Sequence, residues 1–399
     1  MSWFPARAVI DLSAIASNVQ SLAAHAPTAQ VMAVVKADAY GHGLVPSARA
    51  AVAGGAAWLG TAQLGEAIAL RAAGIDARVL TWLHTPGARF EEAVRADVDL
   101  GVSAPWALDE IAAAARDAGR AARVHLKVDT GLGRNGLTPA QLVELLPAAL
   151  RLQAEGAVVV VGLFSHLAFA DEPTHATVQA QARAFADAVR TVEAAGVRLE
   201  VRHLANSAAT LTAPALHYDL VRPGIAVYGL SPVPQLGGPE HFGLTPAMTL
   251  EAGLATVKRV TAGHGVSYAH QYVTPRDTVL GVVPLGYADG IPRHASGSLD
   301  HVGGPVLVGD GARRRLLGVA GRVCMDQVVV DLGPDATEQA GDRVELFGTG
   351  ADGGPTAQDW AQAAGTIAYE IVTRLSSSIP RVHVDAPASL AGLETGAGA

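Results

Sequence analysis

Val31-Met-Ala-Val-Val-Lys-Ala-Asp-Ala-Tyr-Gly-His-Gly43 is the stretch around which this 399-residue chain is organised. Val31, Val34 and Val35 make a short apolar run rich in β-branched residues, the pattern of a buried strand. Lys36 follows at once, where the run meets a turn of small residues bearing Tyr40 and two glycines. Burying an ammonium is costly unless it is paired or neutralised, and desolvation lowers its pKa toward that of a usable amine. Such an amine forms a Schiff base with a carbonyl compound. Lys36, Lys127 and Lys258 are the only lysines among 29 lysines and arginines. Arginine is thus the default cation here, and Lys36 reads as an amine chosen because it can lose its proton. The bland alternative is a strand-end lysine whose tip reaches solvent.

Outward from this stretch, short apolar runs recur at 30–35, 58–60, 78–80, 99–102, 123–128, 158–163, 199–203 and 218–221. Alanine-rich segments with helical spacing lie between them, at 64–73, 105–118, 139–150 and 174–195. A strand at 7–11 and a helix from Ser13 to about His25 come before. Eight strand candidates are what a closed (β/α)8 barrel of the TIM type requires; an open doubly wound α/β sheet is the competitor. After Gly229 the texture changes. Residues 231–246 are rich in Pro and Gly and read as a linker. Short β-type runs follow at 255–260, 279–284, 305–308, 316–319, 327–331 and 342–347, with one late helix at 358–364. The expected division is an α/β barrel over 12–240 and a mainly β C-terminal domain over 241–385, with strand 1–11 joining the latter and a flexible tail over 386–399.

A formal net charge of −8 argues against a nucleic-acid or anionic-membrane surface. A single cysteine, Cys324, excludes an internal disulfide framework and suits a reducing cytoplasm. Met1-Ser-Trp-Phe-Pro5 lacks the basic and apolar regions of a signal peptide. No apolar run reaches the ~20 residues that span a bilayer. A cytoplasmic protein without a metal site is expected.

In a barrel, reactive side chains stand where strands end and βα loops begin. Lys36 and Tyr40 follow the first strand, and Lys127 to Arg134 close the fifth. Ser165 and His166 close the sixth, His203, Asn206 and Ser207 the seventh, and Arg222-Pro-Gly-Ile225 follows the eighth. His166 or His203 alone would read as a core histidine; so many polar groups at one rim read as an active site. The last two barrel loops often bind phosphate through backbone N–H groups, and here they carry Asn206-Ser207 and Gly224-Ile225. A phosphate-bearing aldehyde held there, with Lys36 across the barrel mouth, describes pyridoxal phosphate.

The stretch Ala33-Val-Val-Lys-Ala-Asp-Ala-Tyr-Gly-His-Gly43 resembles the cofactor attachment signature of the alanine racemase family. The resemblance continues through His125-Leu-Lys-Val-Asp-Thr-Gly-Leu-Gly-Arg-Asn-Gly136, His203-Leu-Ala-Asn-Ser207 and Val221-Arg-Pro-Gly-Ile-Ala-Val-Tyr-Gly229. It extends to Val266-Ser-Tyr268, Pro284-Leu-Gly-Tyr-Ala-Asp-Gly290, Gly321-Arg-Val-Cys-Met-Asp-Gln327 and Tyr369-Glu370, so it covers nearly the whole chain. It implies that Lys36 is the cofactor-bearing lysine and one of two acid/base groups, with Tyr268 the other on the opposite face. Removing a proton from one face of Cα and returning it to the other calls for two such groups. The resemblance also implies that Tyr40, Ser207, Gly224, Ile225 and Tyr369 bind the phosphate, and that Arg222 faces the pyridine nitrogen with His166 nearby. Arg134 would hold the substrate carboxylate, with Met325 and Asp326 completing the substrate site. Lys127 matches a lysine carbamylated in many relatives; an ammonium paired with Asp129 is the alternative. Tyr268, Met325 and Asp326 come from the second subunit in the family, which implies a homodimer with shared sites, supplying D-alanine for peptidoglycan.

Asp38, His264, Ala269, Gln271 and Ala368 depart from the usual pattern, which puts loop conformation and substrate range in doubt. Three rivals stand beside the alanine racemase: a racemase of broader specificity, a same-fold amino-acid decarboxylase using a catalytic cysteine, and a non-catalytic cofactor carrier. The Met-Asp-Gln surroundings of Cys324 weigh against the second, and the whole second domain against the third.

Overall fold

The computed structural model describes residues 5–387. They form two compact units, one of Ser13–Ala39 and Gly43–Thr245, the other of the residues through Leu12, Tyr40–His42 and Pro246–Ala386. The tail expected over 386–399 lies, from residue 388 on, outside the described residues, as do residues 1–4 of the expected first strand.

The first unit holds eight parallel strands: Gln30–Val34, Trp58–Thr61, Arg78–Thr81, Asp99–Val102, Ala122–Lys127, Val158–Phe164, Val201–His203 and Leu220–Val221. Each pairs with the next through the seventh, and the first pairs with the eighth at Gln30↔Leu220 and Val31↔Val221. The remaining seam is spanned by Asp219 N–H to Arg202 O (3.1 Å) and Arg222 N–H to Ala205 O (2.9 Å). The sheet therefore closes on itself, and the open-sheet alternative is excluded.

Closure decides which side chains meet. Met32, Trp58, Leu80, Val201 and Leu220, from five strands, share one buried cluster with Trp82, which only the barrel interior can bring together. Side chains alternate along a strand, so two residues onward the same face presents His203 and Arg222, and four residues beyond Met32 it presents Lys36. Gly60 belongs to this face because a Cβ there would lie 2.9 Å from both Met32 Sδ and the Trp82 ring.

The outer helices obey ordinary end rules. Thr138 caps Pro139–Ala154 in a reciprocal box with Gln141, with Pro139 in the first turn. This helix runs past the expected end at residue 150. Pro147 removes one backbone donor, but Leu142, Leu145, Leu146, Ala149 and Leu152 keep one face buried across it. The Pro- and Gly-rich stretch 231–246 is not a free linker. Up to residue 245 it belongs to the barrel unit, with Val233, Phe242 and Leu244 buried. Buried Asn18 donates to Thr245 O (2.9 Å) and accepts from Thr245 N–H (2.8 Å).

The second unit is mainly β. Its six-stranded sheet runs Arg315–Gly318, Pro305–Val308, Arg343–Phe347, Met248–Gly253, Ala6–Asp11, Arg381–Val384, so the N-terminal strand is built into it. Thr256–Val260, Thr278–Val283 and Val328–Gly333 form a second sheet, and Gly265–Val266 pairs with Tyr272–Val273. The near-central strand Met248–Gly253 was not foreseen. Its nearly buried Glu251, held by Arg7 and Arg343 at 2.6 Å each, interrupts the apolar pattern.

Candidate active site

Lys36 ends the first barrel strand's inward face. Burial lowers its pKa, the nearby Arg134 cation lowers it further, and the Glu66 carboxylate opposes both. The chain then takes an unusual path. Ala37, Asp38, Ala39 and Tyr40 all have φ between +52 and +56°, and Gly41 follows at +81°. This segment, Lys36–Gly41, is a left-handed turn, not the ordinary glycine-bearing loop the sequence suggested. Left-handed backbone costs an L-residue of order 1–2 kcal/mol, so the surroundings must hold it. Glu66 Oε1 accepts Ala37 N–H (2.6 Å), Asp38 Oδ1 accepts Leu44 N–H (2.7 Å) and Asp38 O accepts Gly43 N–H (3.0 Å). The Asp38 contact uses one oxygen that an asparagine also carries, so this departure keeps the turn. Within the second unit, a Cβ on Gly41 would collide with the Val372 carbonyl, so this position excludes every other residue twice over.

Lys127 ends the inward face of the fifth strand and is buried. It donates to Asn135 Oδ1. It is not ion-paired with Asp129, whose carboxylate is spent on Gly131 N–H (2.9 Å), Leu132 N–H (3.0 Å) and Gly133 N–H (3.1 Å). Burial, then Arg134 and Arg222, lower the Lys127 pKa to about 7. His166 stands among the same cations; burial, then Arg222, Arg134, Lys127 and Lys36, keep it neutral well below its usual range. Arg134 is exposed and is the common charge acting on all of these groups.

Arg222 is buried and braced on both η nitrogens. Nη1 donates to His203 O (2.6 Å) and meets His203 Nδ1 (3.2 Å); Nη2 donates to Ser165 O (2.5 Å) and Leu204 O (3.2 Å). Burial, then Arg134, lower its pKa to about 9, which leaves it a cation at neutral pH. Among the described residues its Nε–H alone has no protein acceptor. Next to it, Ser207 Oγ accepts Gly224 N–H (2.8 Å) and Ala226 N–H (3.4 Å), while Asn206 caps the short helix Ser207–Thr212. Ile225 between them is fully buried.

Pyridoxal phosphate fits this donor set. Backbone N–H groups converge on Ser207 for an anion, Arg222 keeps one N–H for a ring acceptor, and a deprotonatable amine stands at the same rim.

The remaining expected residues lie in the second unit. The Tyr40 and Tyr369 rings are 6.3 Å apart and tilted. Burial, then Tyr369, raise the Tyr40 phenol's pKa, so it stays a donor. Tyr268 is 67% exposed and Met325 52%, and Asp326 is exposed too. Tyr268 sits in a strained bend, with φ +58° at Ser267, +60° at Ala269 and +46° at His270. The unusual Gln271 has a purpose there: its Oε1 accepts from Arg322 Nε (3.2 Å), tying the bend to the segment that carries Met325. Asp99, His125 and Asn135 were not singled out in the sequence, yet they bond to this cluster, Asn135 to Lys127 and His125 to both Asp99 and His203. The usable signal was that His125 and Lys127 share a strand face by alternation.

Two family models match the chain: the alanine racemase N-terminal domain over residues 10–232 and the alanine racemase C-terminal domain over 247–383. An alanine racemase of Beutenbergia cavernae is 62% identical over 381 residues, covering 96% of this chain and 98% of its own. One from Streptomyces coelicolor is 60% identical, covering 95% and 96%. The crystal structure of alanine racemase from D-cycloserine-producing Streptomyces lavendulae superposes with a TM-score of 0.92 at 56% identity, over 96% of this chain and 98% of the other. Among the described residues, no helix is long and apolar enough to cross a membrane.

Proposed function

The chain belongs to the alanine racemase family, and we propose that it interconverts L- and D-alanine with Lys36 and Tyr268 as its two proton-handling groups. The family is dependent on pyridoxal phosphate. When bound, that group supplies an aldehyde that captures the amino group and a conjugated ring that draws electrons from Cα. The observation that carries the assignment is the shared rim of Lys36, Arg222 and the Ser207–Gly224 pair inside one closed barrel.

Lys36 Nζ takes or returns the Cα proton on one face, and the Tyr268 phenol oxygen does so on the other. The depressed pKa of Lys36 supports this use of its amine. Arg222 offers Nε–H to the ring nitrogen and, as a cation, keeps that nitrogen unprotonated. Neutral His166 takes no proton from either group near neutrality. Ser207, Gly224 and Ile225 bind the phosphate from the barrel, with the Tyr40 and Tyr369 hydroxyls as further donors. Arg134 holds the substrate carboxylate with its planar fork.

Tyr268, Met325 and Asp326 act on the site of a second copy, making a homodimer with shared sites; their exposure on one chain supports this. The lone cysteine supports a cytoplasmic setting, where D-alanine is used for peptidoglycan.

The test is circular dichroism of L-alanine incubated with the loaded protein. Loss of optical activity is the expected result. Cofactor absorbance without racemisation points to a carrier, release of CO2 to a decarboxylase, and equal rates on serine to a broader racemase.

A further inference from the structure

Below Arg222 the barrel interior holds an unbroken file of buried polar groups. Asp99 Oδ2 lies 3.1 Å from His125 Nε2, His125 Nδ1 lies 2.9 Å from His203 Nε2, and His203 Nδ1 lies 3.2 Å from Arg222 Nη1. Both imidazoles are fully buried and Asp99 is 2% exposed. The Asp99 charge is held by Arg78 and Arg123, each at 3.0 Å.

The two ends of this file fix its direction. A carboxylate only accepts hydrogen bonds and a guanidinium only donates them. Asp99 therefore requires the His125 proton on Nε2, which leaves Nδ1 as a lone pair. That lone pair requires a proton on His203 Nε2, so His203 Nδ1 is also a lone pair and accepts from Arg222. The bond at one ring nitrogen sets the state of the other. A reversed tautomer or a second proton anywhere in the file would set hydrogen against hydrogen. Burial, then Arg222 and His125, also disfavour a second proton on His203. The packing is built for the file: Gly162 faces the His125 ring, and any Cβ there would drive into it.

We propose that Asp99, His125 and His203 are positioning residues that lock the His203 tautomer and so hold the Arg222 guanidinium, leaving its Nε–H for the cofactor ring nitrogen. The last step rests on the role proposed above for Arg222; the tautomer lock does not.

The decisive experiment is 15N NMR of histidine-labelled holoenzyme between about pH 5 and 8, the span in which histidine ordinarily titrates. The expected pattern is His125 and His203 neutral throughout, each protonated on Nε2. A proton on Nδ1 of either ring, or an imidazolium, overturns the lock. Asp99→Asn is the perturbation, because an amide can offer N–H to His125 and turn the file around. It is expected to shift His203 toward the Nδ1–H form, to lower kcat about tenfold or more with KM little changed, and to raise the share of transamination. Glu200→Gln removes another acceptor of Arg78 and Arg123 without touching an imidazole. It should leave the tautomers and the product ratio alone. Where the Asn variant does not fold, Gly162→Ala displaces the His125 ring and the same two readouts apply. An unchanged product ratio with altered tautomers overturns the positioning role. Failure of the unsubstituted protein to racemise alanine would instead sink the proposed function, and the 15N pattern would still decide the lock.

Discussion

Glu66 accepts the backbone N–H of Ala37 through Oε1 at 2.6 Å, pinning the left-handed turn one residue beyond Lys36. Its Oε2 takes Ala62 N–H (3.2 Å) and Gln63 N–H (3.1 Å), which fastens the start of helix Leu64–Ala72 to the same carboxylate. Glu66→Ala should therefore cost about 1.5–3 kcal/mol, the range for a hydrogen bond to a charged group. It should also loosen cofactor retention. Urea unfolding of the holoenzyme checks the first, and cofactor absorbance after dialysis the second. An unchanged unfolding midpoint would show that the turn holds itself.

Ala269 occupies a left-handed conformation at φ +60° next to Tyr268, a backbone region that favours glycine. Ala269→Gly should be neutral or gain up to about 1 kcal/mol. Ala269→Val, a β-branched residue that resists positive φ, should lose more than about 1 kcal/mol and lower kcat by misplacing the phenol. Equal activity in the two variants would mean the bend does not govern the position of Tyr268.

Lys127, with a pKa of about 7, carries substantial free amine at and above neutrality. Free amine attacks CO2 to give a carbamate and a proton. We expect a 13C carbamate resonance at Lys127 with labelled bicarbonate, growing as pH rises above about 7. Its absence at saturating bicarbonate would favour the plain amine on Asn135. Stability should follow the same group. The folded pKa lies below the unfolded value, so the unfolded chain binds more protons between the two. Without CO2, stability should rise with pH from about 7 toward 10, and Lys127→Met should flatten that slope.

Arg222→Glu should slow racemisation and raise transamination, because a protonated ring nitrogen stabilises the carbanion more and permits side reactions. The braces on Arg222 add a second consequence. Glutamate would face the carbonyls of Ser165, His203 and Leu204 in place of the cation that now serves them. Each stranded buried acceptor costs about 1–3 kcal/mol, so the thermal midpoint should fall. Racemisation slowed without any gain in side product would remove ring-nitrogen control from the mechanism.

Much of this was legible in the amino-acid order. The eight barrel strands could be read because parallel strands covered on both faces appear as plain apolar runs, and Lys36, Lys127 and Arg222 stand out as charges at their ends. Other features resist such reading. Nothing in Ala37-Asp38-Ala39-Tyr40 announces four successive left-handed residues; tertiary bonds from Glu66 and Leu44 impose them. Asp99 and His125 look like strand polarity until pairing sets their strands side by side and Gly162, on the strand between, lets His125 reach His203. Glu251 conceals a near-central strand because its two arginine partners lie far away in sequence. Exposed Tyr268 has no burial signature at all, and only the resemblance to known racemases pointed to it.

The most direct test of the central claim is complementation between two inactive variants, Lys36→Ala and Tyr268→Ala, co-expressed with different tags. If each site takes its amine from one chain and its phenol from the other, every mixed dimer has one intact site, and random pairing should restore about a quarter of full activity per dimer. Mixed dimers verified by their tags, yet as inactive as either parent, would contradict it.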